Sequence, residues 1–183
     1  MGSGVLFVAQ DLAKNTVANC TEMLTWTGEG TPAAVKNHIY HGALPPPAAG
    51  AEQYTLAELQ GYRPFVIIGT SEILGYHARL SAAVGQFMPA GQLTLHFEMD
   101  TPAADAADPA KLDEDTLSIA GRIIQRPDVE APPFAGLLDL AHDAGYLAID
   151  DLKFHGLFRS NEADHPGEGD FLYWQLVLSW GTP

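Results

Sequence analysis

The sequence predicts an α+β fold: a mainly antiparallel β-sheet of about four to five strands with helices packed on one face. Three observations carry that expectation. Residues Gln92 to Asp100 alternate strictly, with Leu93, Leu95, Phe97 and Met99 on one side and Thr94, His96, Glu98 and Asp100 on the other. A period of two with one apolar side describes a half-buried antiparallel strand. Asp170 to Trp180 repeats the pattern, placing Leu172, Trp174, Leu176, Leu178 and Trp180 on a single face. Between them, Leu112, Thr116, Ile119 and Ile123 recur at helical spacing.

The remaining elements follow along the chain. Asp11 is a suitable N-cap, and Ala13, Val17, Cys20 and Leu24 share a helical face, so a helix is expected from Asp11 to Trp26, ended by Gly28 and Gly30. Val35 to His41 reads as a short strand. Gly42 to Gly61 is rich in Pro, Gly and Ala; its Pro45-Pro46-Pro47 run favours extended polyproline geometry and predicts a projecting loop or arm. Arg63-Pro64-Phe65-Val66-Ile67-Ile68-Gly69 reads as a strand led by proline, and Ile73 to Leu80 as another.

Asp108-Pro109 opens the next helix, a cap residue followed by proline in the first turn, and Pro127 stops it. A further short helix is expected from Pro133, with Phe134, Leu137, Leu138 and Ala141 inward and Gly145 ending it. Tyr146 to Phe158 then forms a strand bent at Gly156. Arg159 to Gly169 is a polar connection to the last strand. So large an apolar face on that strand suits the interior of a sheet rather than its edge. The 183 residues fit one domain.

Composition excludes several classes of partner. Nine Lys and Arg stand against 23 Asp and Glu, a formal net charge of −14. Such a surface repels nucleic acid and anionic lipid, whose binding needs clustered cations, so sequence-specific nucleic-acid binding is not expected. No run approaches the ~20 apolar residues of a membrane-spanning helix, and the apolar start lacks the basic flank of a signal peptide. Cys20 is the only cysteine, so no intrachain disulfide forms, which fits a reducing compartment.

The residues that carry chemistry elsewhere have structural explanations here. His38-x-x-His41 has the spacing of a metal pair, but zinc needs three or four ligands, and a strand would send the two rings to opposite faces. His77, His96, His142, His155 and His165 are isolated in sequence. Cys20 falls on an apolar helical stripe, the place of an inert thiol. Asn19-Cys20-Thr21 matches the glycosylation pattern within a helix, a chance match. Asp113-Glu114-Asp115 suits the opening turns of a helix, and Asp150-Asp151 suits a turn after a strand. Trp174 and Trp180 read as core. No residue is therefore assigned a catalytic, cofactor-binding or metal-ligating role, and no enzyme activity is expected.

Taken together, the order of elements resembles that of the tail-terminator, or tail-completion, proteins of long-tailed bacteriophages, the lambda-type family. The pieces that carry the resemblance are the Asp11 to Trp26 helix, Arg63-Pro64-Phe65-Val66-Ile67-Ile68 and Leu93-Thr94-Leu95-His96-Phe97-Glu98. The Leu112 to Gln125 helix, Phe134 to Gly145-Tyr146 and Phe171-Leu172-Tyr173-Trp174-Gln175-Leu176-Val177-Leu178 complete it. The chain is longer than that pattern at Gly42 to Gly61 and at Arg159 to Gly169. The resemblance implies a virion protein of the tail or neck, assembled in the host cytoplasm. Copies would form a ring, a hexamer, that caps the tail tube and meets the head connector. Two other classes stay open on the residues alone: a cellular protein-interaction module, and a metal-dependent enzyme using converging His and Asp.

Overall fold

The computed structural model describes residues 5–48, 50–72, 90–101, 108–124, 148–161 and 163–181. The N-terminal helical stretch starts earlier than Asp11 and is broken in two, α1 Val5–Asn19 and α2 Thr21–Thr27. Asp11 is thus an exposed residue inside α1 rather than its cap. The break falls at Cys20, whose backbone is extended at φ −67° and ψ 123°. The Asn19 side-chain amide donates to the Asn15 carbonyl at 2.9 Å. A polar side chain that competes for a backbone acceptor weakens a helix at that point. The break keeps Ala13, Val17, Cys20 and Met23 all buried. Gly28 ends α2 at φ 74°, and the Glu29 N–H reaches back to the Leu24 carbonyl at 2.9 Å.

The stretch from Val35 to His41 is only partly a strand. Thr31 caps the short helix α3, Pro32–Val35, by accepting the Ala34 N–H; a 3-10 turn over Lys36–His38 follows, and β1 covers Ile39–His41. The segment Gly42 to Gly61 is not all loop. Residues Leu56–Tyr62 form α4, opened by a reciprocal capping box between Thr55 and Glu58. Leu56 of α4 lies against the turn at Gly169, where a Cβ would come within 2.9 Å of its Cδ1. The Tyr54 hydroxyl donates to the Pro45 carbonyl at 2.7 Å, so this end of the segment is folded back on itself.

Among the described residues five strands form one mixed sheet in the order β1-β2-β3-β5-β4, with β2 at Phe65–Glu72, β3 at Ala90–Asp100, β4 at Ala148–Ser160 and β5 at Phe171–Gly181. Only β1 and β2 run parallel; the other three pairings are antiparallel. The last strand is interior, as its apolar face requires. In β4 the register shifts between His155 and Phe158, which places a bulge at Gly156 where a bend is expected.

Alternation decides the faces. Val66 and Ile68 of β2, Leu93, Leu95 and Phe97 of β3, and Trp174 and Leu176 of β5 are buried against Ala13, Val17 and Met23. The same core takes Ile119 and Ala120 of α5, Pro109–Ile124, whose N-terminus is capped by Asp108 accepting the Lys111 N–H at 3.2 Å. Fully burying each of the Val, Leu, Ile, Phe and Met side chains contributes about 1.5–3 kcal/mol. Helices α1, α2 and α5 thus cover one face, whereas α4 lies on the other side, where Leu59 meets the cavity lined by Phe65 and Glu98, and the fold is α+β. No helix among the described residues is long and apolar enough to cross a membrane. The expected strand at Ile73 to Leu80, the stop at Pro127 and the helix from Pro133 to Gly145 lie outside the described residues.

Candidate functional site

The face of the sheet opposite α1, α2 and α5 is polar and aromatic, and Arg63 organises one end of it. Arg63 precedes β2, and its side chain is 1% exposed. Its Nε donates to Glu98 Oε1 at 2.7 Å. Its Nη1 donates to Asp100 at 3.0 Å and to the Glu168 carbonyl at 2.7 Å. Nη2 also lies 2.7 Å from Glu98 Oε1, too oblique for a hydrogen bond but a full ion-pair contact. The guanidinium carbon sits 4.5 Å from the centre of the Phe171 ring, a cation–π contact. One side chain therefore ties the entry to β2, the end of β3 and the turn before β5.

His96 extends the network. Its ring lies between Phe65 and Tyr173, with centroids at 6.4 and 5.6 Å. Nε2 is 3.2 Å from Glu98 and Nδ1 is 3.2 Å from the Gln175 amide nitrogen. That geometry fits one tautomer, in which Nε2–H donates to the carboxylate and the Gln175 amide donates to Nδ1. Burial pushes the Glu98 pKa up, but the His96 hydrogen bond and the Arg63 charge outweigh it. The carboxyl ends below its ordinary value.

Beside this network a cavity of about 620 Å³ opens between the 44–54 loop, α4 and the 163–168 turn. Its walls include Leu44, Tyr54 and Phe65, together with Glu52, Glu98, Asp164 and Glu168. A second cavity, about 380 Å³, lies between α2 and α5 over Trp26, Met99 and Ile119. There the Trp26 Nε1–H donates to Met99 Sδ at 3.1 Å.

The residues singled out in the sequence are dispersed. His38 Nδ1 is 2.8 Å from the Pro64 carbonyl and Nε2 is 3.0 Å from Glu29, so both nitrogens already face oxygen acceptors. His38 lies in the 3-10 turn rather than a strand, and His41 ends β1, where burial and then the Lys14 charge lower its pKa. His155 is exposed on β4, and the His165 ring packs 5.8 Å from Phe171. His77 and His142 lie outside the described residues. Burial, followed by the Glu22 hydrogen bond at 3.2 Å, pushes the Cys20 thiol up to about 12. The Asn19 amide is engaged within α1.

Asp113 pairs with Arg159 and Asp115 with Lys111, leaving Glu114 exposed. Asp150-Asp151 sits inside β4, at its register shift after Ile149, not in a turn. The strand simply continues through the pair. Trp174 is fully buried and stacked on Phe97; the side chain of Trp180 lies outside the described residues. Among the described residues, no group of three or more His, Cys, Asp and Glu is placed to hold a metal ion. Sequence reasoning assigns no role to Arg63, the residue that links most of this face. Its partners are 35 to 105 positions away, and only the polar stripe of β3 hinted at them.

No protein-family model matches the chain, and no curated protein matches it. Among solved structures, a chain of the virion of a native gene transfer agent (GTA) particle is a neighbour at 13% identity and a TM-score of 0.36, over 91% of this chain and 96% of that one. A TM-score this low does not establish a common fold.

Proposed function

We propose that this chain is a structural virion protein of a tailed, phage-like particle, a tail-terminator or neck subunit. The order of elements carries the reading. An N-terminal helical stretch, a short strand, a long connection, a proline-led strand, a strictly alternating strand, a helix and a closing hairpin follow one another in the order of the tail-terminator pattern, whose second helix, expected from Pro133 to Gly145, lies outside the described residues. Leu93, Leu95 and Phe97 of β3 and Trp174 and Leu176 of β5 are committed to packing, and the Arg63, Glu98 and His96 network holds elements of the chain together. Both facts suit a scaffold that works by contact rather than by bond chemistry.

In this reading identical copies close a ring, with a hexamer expected, and the ring caps the tail tube and presents a surface to the head connector. Head-to-tail interfaces make a ring only when the rotation between copies closes. An acidic inner wall, available from a net charge of −14, would keep passing DNA from adhering.

Light scattering coupled to size exclusion, at several protein concentrations, with negative-stain images of the largest peak, tests it. Closed rings of one stoichiometry are the expected result. A strict monomer at every concentration would sink the ring and favour a cellular interaction module.

A further inference from the structure

We draw no further inference here: the strongest candidate, the row of rings that crosses the sheet face opposite α1, α2 and α5 from Phe65 through His96 and Tyr173 to the exposed Phe158, carries none, because nothing in the structure shows what covers it.

Discussion

Arg63 and Glu98 form an ion pair across the β2–β3 ladder, 2.7 Å apart, with their side chains 1% and 13% exposed. Desolvation of two charges is compensated here by geometry. The guanidinium also has Asp100, the Glu168 carbonyl and the face of Phe171, and the carboxylate also has His96. Removing one partner leaves the other charge buried without its main counterion, whereas removing both removes the penalty as well.

Glu98→Gln and Arg63→Met are each expected to cost about 3 kcal/mol in urea unfolding, the lower end for a broken buried pair. The double substitution Arg63→Met with Glu98→Gln should cost little more than the larger single change. That amounts to a coupling of about 2 kcal/mol or more. Additive losses would show that the two residues act separately.

Acid should weaken the fold in two steps. The folded pKa of Glu98 lies below its ordinary 4.5, so its stabilisation is complete above that value and is lost as pH falls through the folded value. His41 also has a lowered folded pKa, which makes protonation favour the unfolded chain as pH drops below about 6.5. Urea midpoints measured from pH 7.5 to pH 3 should therefore fall first near the histidine value and again below 4.5. Glu98→Gln should flatten the second step and retain the first. An unchanged profile in that variant would remove Glu98 from the account.

Trp174 stacks on its cross-strand partner Phe97 with ring centroids 3.7 Å apart and planes 4° apart. Its indole nitrogen is buried and has no hydrogen-bond partner among the described residues. Trp174→Ala should cost about 3–5 kcal/mol through the cavity it leaves. Trp174→Phe should cost less than about 1.5 kcal/mol, because the smaller ring keeps the stack and discards an unsatisfied donor. A loss as large as that of alanine would mean that the nitrogen has a partner after all.

The sheet was legible where a single residue class repeats. Alternation in β3 and β5 gave their faces, the apolar load of β5 gave its interior position, and Gly156 gave the bulge in β4. Helix limits were less legible because they depend on competition between side chain and backbone. Asn19 ends α1 by a bond to Asn15, which apolar spacing does not register. In α4 the capping signal Thr55-x-x-Glu58 was present but lay beside a proline triplet that pointed to loop. The Arg63 network was hidden for another reason. It joins residues far apart in the chain, and pairing of that kind follows from the register of the sheet, not from neighbouring letters.

The place of β5 between β3 and β4 has a consequence for biogenesis. It is the last of the five strands to leave the ribosome, yet it supplies the partner edge for both of its neighbours. Until it emerges, β3 and β4 expose unpaired amides and carbonyls in the nascent chain, and such edges invite association with other polypeptides. Closure of the sheet is therefore a late event in synthesis, and a premature stop before Phe171 would release a product in which β3 and β4 each lack the edge that β5 supplies.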